Sequence, residues 1–142
     1  MHSSTASAQA PQEVTRALAG ALSAAELDRA LSLFDEGGCF VTPDATAIRG
    51  PQGIRAILSQ LIASRVQLRI EPRSTRTDGS LALCGERWTF TYARGGTVPF
   101  VQGSDSTILL RRSNRAWRLL IAAPWGIADA DRLPFAAMPW PR

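Results

Sequence analysis

Lysine is missing from this chain: all 16 of its basic residues are arginine. That excludes Schiff-base chemistry and a phosphate-loop lysine. Histidine occurs once, as His2 in the leading MHSSTASAQAPQ, so a His-based triad or His-ligated metal would have to rest on the first residues of the chain. The two cysteines, Cys39 and Cys84, stand far apart and match neither a metal-ligand spacing nor a redox CxxC pair. Buried free thiols are expected, with no metal and no cofactor. Nowhere do 18 apolar residues run uninterrupted, and the leader lacks the apolar core of a signal peptide. The expectation is a soluble cytoplasmic protein with no membrane partner.

What is present describes one ordinary domain. The 142 residues are 45% hydrophobic and 20% charged, near the globular average. Net charge is +4 with a pI near 10.4, which raises the question of nucleic acid. The arginines mostly recur singly, however, and only Arg111, Arg112, Arg115 and Arg118 cluster. A solvated hairpin rim is the favoured reading of that cluster, ahead of a phosphate-binding patch.

Val14, Leu18, Ala21 and Leu22 recur at helical spacing. Ser23 with Glu26 forms a capping-box pattern before Leu27, Ala30, Leu31 and Phe34. Gly37-Gly38 is read as the stop of this second helix, followed by a short strand from Cys39 to Thr42. Gly50-Pro51 opens the clearest helix, with Ile54, Ile57, Leu58, Leu61 and Ile62 on one face. From Val66 the period changes to two. Asp78-Gly79, Gly95-Gly96 and Ser113-Asn114 then punctuate an antiparallel meander. The predicted fold is α+β, a cone-shaped curved antiparallel sheet wrapped around a long helix. Residues 1–11 read as a leader, 12–126 as the domain and 127–142 as a Pro-rich tail.

In LALCGERWTFTY, residues 81 to 92, alternation gathers Ala82, Cys84, Glu86, Trp88, Phe90 and Tyr92 on one face. If that face is concave, Glu86 lies among aromatic rings, where desolvation favours its neutral form and suits it to proton transfer. The bland reading is a Glu paired with an arginine, fixing the sheet. A two-residue Gly95-Gly96 turn would set Phe90 opposite Val101, Trp88 opposite Gly103 and Glu86 opposite Asp105. Glu86 and Asp105 would then form a coupled acid pair in an aromatic-lined pocket. Asp44, after Pro43, has the composition of a turn. Thr42 ends its strand and could point its hydroxyl inward.

The segments LDRALSLFDEGGCFVTPDA, IRGPQGIRAILSQLI, and LALCGERWTF through STILLRRSNRAWRLLIAAPWG resemble the nuclear transport factor 2-like superfamily, specifically its SnoaL-like and ketosteroid isomerase-like members. The resemblance covers roughly residues 12 to 126 and implies the cone-shaped fold and a homodimer. It specifies the reaction poorly. Where isomerase-like relatives place an acid before proline at the end of the first strand, this chain has Thr42-Pro43. Leu18 lies near the position of their first-helix tyrosine, and Tyr92 is the only tyrosine here. Their protonated acid falls near Thr107 or Ile108, neither of which ionises. The Arg and paired Asp of epoxide hydrolase relatives are not recognisable.

Three readings follow. The first is a pocket for a small apolar molecule, with proton transfer, cyclisation or hydrolysis carried by Glu86 and Asp105. Thr42, Leu18, Trp88, Phe90, Tyr92 and Thr107 would line that pocket. The second is a non-catalytic binding or dimerisation module that uses the outer sheet face around Phe100 and Leu110. A nucleic-acid binder ranks last.

Overall fold

The computed structural model describes residues 10 to 125, apart from residues 43 and 94–98 and the side chains of residues 92, 93, 99, 100 and 102. The leader and tail, Pro43, the Gly95-Gly96 turn and the side chains of Tyr92 and Phe100 therefore lie outside the described set.

Helix α1 spans Pro11–Ser23, with proline at its start and the Glu13 carboxylate accepting the Ala10 N–H at 3.1 Å. It buries Val14, Thr15, Leu18, Ala21 and Leu22. Helix α2 is the single short stretch Leu27–Ser32. The expected capping box before it does not form. Ser23 ends α1 and its hydroxyl accepts the Leu68 N–H at 3.0 Å, while Glu26 pairs with Arg29 at 2.8 Å. Strand β1 (Phe34–Val41) follows α2 almost at once. Gly37-Gly38 is not a helix stop but lies inside β1, where the pairing register to the last strand shifts between Phe34 and Cys39.

Strand β2 (Ala47–Arg49) leads into α3 (Gly50–Ala63), whose Ile54, Ile57, Leu58 and Leu61 are buried as their spacing requires. Strands β3 (Gln67–Asp78), β4 (Leu81–Ala93), β5 (Pro99–Ser113) and β6 (Ala116–Ala123) form the meander. Positive φ at Asn114 and Arg115 makes the β5–β6 connection a turn of the type that matches strand twist. The sheet runs β2-β1-β6-β5-β4-β3. It is mixed rather than wholly antiparallel, because β1 pairs parallel to β6, a pairing allowed by the long crossover through α3 and the meander. Bulges between Pro72 and Ser74 and between Leu109 and Leu110 bend it. The helices pack on the concave side, where Leu18, Ile57, Leu58, Trp88, Phe90, Ile108, Leu110 and Leu119 make one core. Leu110 is therefore an inner residue, not part of an outer contact face.

The alternation expected for β4 holds: Ala82, Cys84, Glu86, Trp88 and Phe90 are buried, whereas Leu81 and Leu83 are exposed. The expected β4–β5 register does not. Ala93 pairs with Pro99 across a five-residue connection, so Glu86 faces Ser106, Trp88 faces Ser104 and Arg87 faces Asp105. This is a one-residue slip from the predicted pairing, and it turns every β5 side chain to the other face. Ile108 and Leu110 become buried, and Arg111 and Asp105 become exposed.

A Cβ at Gly38 would stand 2.8 Å from the Leu119 carbonyl oxygen and 2.9 Å from that of Asp35, both backbone atoms that cannot swing aside. Gly38→Ala is therefore expected to destabilise the fold by about 1–3 kcal/mol in urea unfolding. Gly20→Ala, in an exposed stretch of α1 with nothing within 4 Å, should stabilise it by up to about 1 kcal/mol.

Candidate functional site

The site is built from two elements, the middle of β4 and the first half of α1. The inward parity of β4 places Glu86 under the sheet with 2% of its surface exposed. Its Oε1 accepts the indole Nε1–H of Trp88, two residues along the same face, at 2.8 Å. Its Oε2 is bonded to the Thr15 hydroxyl of α1 at 2.6 Å. Burial pushes the Glu86 carboxyl above the usual glutamate range, and the Thr15 and Trp88 bonds and the Arg16 charge partly oppose that rise. The neighbouring Cys84 thiol is likewise pushed up, mainly by burial.

A chain of aromatic rings runs on from Trp88. Trp88 and Phe90 are 5.9 Å apart between ring centroids, Phe90 stacks on Trp125 at 5.5 Å, and Phe40 meets Trp125 edge-on at 5.8 Å. Trp125 is held in place because Ser104 and Ser106 both donate to the Pro124 carbonyl, at 2.7 and 2.5 Å. Five polar side chains are buried among the described residues: Thr15, Thr42, Glu86, Ser104 and Ser106.

The sequence-predicted residues divide between the two sheet faces. Glu86, Trp88, Phe90 and Leu18 come together in the interior. Asp105 does not join them. It lies on the outer face, exposed, 3.3 Å from Arg87, so the acid pair is not formed. Thr107 shares that outer parity, opposite Gly85 and Ala123. The backbone pairs Tyr92 with Phe100. Thr42 is buried, but its hydroxyl donates to the Asp44 carboxylate, which also accepts the Thr46 N–H at 3.3 Å. Asp44 is exposed and closes this turn. Thr15 was missed, although it follows Val14 on the apolar stripe and lies three residues before Leu18, a polar residue where an apolar one is expected.

Comparison with known families now has a geometry to refer to. A family model described as the SnoaL-like domain matches residues 14–117. This chain belongs to the SnoaL-like domain family. Among curated proteins, no sequence matches it. Solved structures share the fold of this SnoaL-like chain at low identity. A candidate aromatic ring hydroxylase from Novosphingobium aromaticivorans aligns at 18% identity and TM-score 0.72, covering 85% of this chain and 89% of that one. A ketosteroid isomerase-like protein from Erwinia carotovora atroseptica aligns at 16% and 0.67, covering 78% and 88%. A candidate calcium/calmodulin-dependent protein kinase II association domain from Xanthomonas campestris aligns at 14% and 0.70, covering 79% and 81%. Other solved structures that share this fold are described as nuclear transport factor 2-like, one of them with a cystatin-like fold.

Away from Glu86, an open cleft of about 680 Å³ at the β5–β6 hairpin is lined in part by Asp35, Arg111, Arg112 and Arg118. Its arginines are engaged within the SnoaL-like domain. Arg111 donates through Nε and Nη2 to Asp35 at 3.4 and 2.6 Å, Arg118 donates to the Ser32 carbonyl at 2.7 Å, and Arg112 lies over the Trp117 ring at 5.3 Å. The Arg111 bond holds the Asp35 carboxyl below the usual range. No helix among the described residues is long and apolar enough to cross a membrane.

The raised Glu86 pKa has a definite stability signature. Between the ordinary glutamate value of the unfolded chain and the higher folded value, the folded state binds the proton more tightly. Stability from this group is thus present at low pH and is lost as pH rises through that interval. Glu86→Gln should remove this decline, so that between low and neutral pH the stability difference between the two proteins moves in favour of the variant by about 1.4 kcal/mol for each unit of pKa displacement. Urea unfolding of both proteins from pH 4 to 8 measures it. The Asp35 contribution has the opposite sign, being lost only as pH falls below the ordinary aspartate value.

Proposed function

We propose that this SnoaL-like domain binds a small apolar molecule, in the cytoplasm, against the inner face of β4, with Glu86 exchanging a proton with it. The supporting observation is the Glu86 carboxyl itself, 2% exposed and held at both oxygens by Thr15 and Trp88, the latter the first of a run of rings through Phe90 to Trp125. A carboxyl kept neutral or poised by burial serves as a proton donor or acceptor near neutrality. Rings on the same face supply apolar area and fix a planar ligand. The reaction class this favours is proton transfer next to a carbonyl, as in isomerisation, or acid-assisted cyclisation, with Glu86 alone and not an acid pair carrying the proton. The ketosteroid isomerase-like neighbour accords with that reading at the level of fold.

The test is an NMR and thermal-shift screen with neutral cyclic ketones and phenols. Ligands are expected to move the Trp88 indole N–H resonance. For a converted ligand, Glu86→Gln should keep binding within a few-fold and lose turnover by about 100-fold or more. Turnover unchanged in that variant would overturn the assignment of Glu86.

A second reading is favoured by one observation on the opposite face. Leu83 pairs across to Leu109 and Leu109 to Ile121, making a lateral apolar row over β4, β5 and β6, in which Leu83 is 49% and Ile121 37% exposed. As a self-association surface this row would make the domain a homodimer, with or without catalysis. Leu83→Asp should then shift the mass measured by light scattering from dimer to monomer, and a wild-type protein that is monomeric at 100 μM would exclude it.

A further inference from the structure

Resting on the reading of Glu86 as a proton carrier, we propose that Thr15 is a positioning residue whose hydroxyl changes partner as Glu86 titrates. In this assignment it donates to Glu86 while the carboxylate is ionised and to the Gln12 carbonyl once Glu86 is protonated. Thr15 Oγ1 stands 2.6 Å from Glu86 Oε2 and 3.0 Å from the Gln12 carbonyl oxygen. A hydroxyl has one hydrogen to give and lone pairs with which to accept. Two acceptors therefore compete for one proton when Glu86 is charged, and the carboxylate wins because the bond is charge-assisted.

Protonation reverses the bond without moving a heavy atom. Oε2–H then donates to Thr15 Oγ1, and the Thr15 proton rotates to the Gln12 carbonyl, which lies one helical turn earlier. Trp88 Nε1–H donates to Oε1 in either state, since that oxygen keeps a lone pair throughout. No buried hydrogen is orphaned in either form. This matters because a buried polar group left without a partner costs its full desolvation. Without the hydroxyl, one state of Glu86 would lose a donor and the other an acceptor.

The charged or titratable groups facing Glu86 are few among the described residues: Arg16 on α1 and Cys84 on β4 itself. β5 presents Ser106 and β3 presents Pro72, and neither titrates. Thr15 is thus the group best placed to tune Glu86 while leaving net charge unchanged.

The experiment uses ¹³C-labelled full-length protein and no substrate. In the wild type, the carbon resonances of the Glu86 carboxyl, the Thr15 Cβ and the Gln12 carbonyl are expected to titrate with one common midpoint. The Gln12 carbonyl should move in the direction of a stronger hydrogen bond at low pH. Absence of that shared inflection would overturn the proposal whether or not any variant folds. Thr15→Val should raise the Glu86 midpoint by roughly one pH unit, a tenfold gain in proton affinity, because the charged form loses more than the neutral one. Thr15→Ser should restore it. A midpoint unchanged in the valine variant would mean that Thr15 only packs. Turnover unchanged in Glu86→Gln alongside a shared inflection would remove the catalytic reading while leaving the hydroxyl exchange standing, so the two failures are distinguishable.

Discussion

The register of β5 against β4 is the constraint on which the rest of the site depends. Pairing Glu86 with Ser106 sends Ser104, Ser106, Ile108 and Leu110 inward and leaves Asp105 beside Arg87 in water. The two serines then reach the Pro124 carbonyl and carry Trp125 onto Phe90. Shifted by one residue, the same strands would bury Asp105 and Arg111 and expose Ile108 and Leu110. Hydrophobic burial decides between them: each fully buried Ile or Leu is worth roughly 1.5–3 kcal/mol, while an aspartate brought beside Glu86 would add a second carboxyl to a desolvated site.

Much of this was legible in the chain, and the reason differs by element. The apolar stripe of α3, the proline after Gly50 and the strict alternation of β4 are local patterns, and each predicts its own element and face. The β5 register departs from expectation because Ala93 pairs with Pro99, which a two-residue turn at Gly95-Gly96 does not allow. A loop is a poor guide to strand parity, whereas the alternation of apolar Ile108 and Leu110 with charged Asp105 and Arg111 in the strand itself matches the observed faces. Gly37-Gly38 misled for a related reason. Glycine as a helix stop and glycine as a close backbone contact look alike in sequence, and only the approach of the Leu119 carbonyl separates them. The parallel pairing of β1 with β6 joins the two ends of the domain, and nothing local announces it.

The site was half legible. Alternation put Glu86 among Trp88 and Phe90, which depends on β4 alone. Its partner Thr15 lies 71 residues earlier in the chain, and only the packing of α1 across the sheet brings the two together. The arginine cluster shows the converse. Conspicuous in sequence, it is largely consumed by Asp35, the Ser32 carbonyl and the Trp117 ring, so its charge serves to tie the β5–β6 hairpin to α2 and β1.

A buried glutamate held by two side-chain hydrogen bonds invites comparison with glutamine, its neutral isostere. Glutamine has the same shape and could fill both roles, its carbonyl accepting from Trp88 and its amide donating to Thr15, which would pass its own proton to Gln12. That arrangement carries no charge to desolvate, but the second amide hydrogen would need an acceptor that neither Thr15 nor Trp88 supplies, whereas a protonated glutamate has one hydrogen to place and Thr15 takes it. What glutamate supplies beyond glutamine is the capacity to gain and lose a proton. Burial raises its pKa, so the ionised form is the one that the interior disfavours.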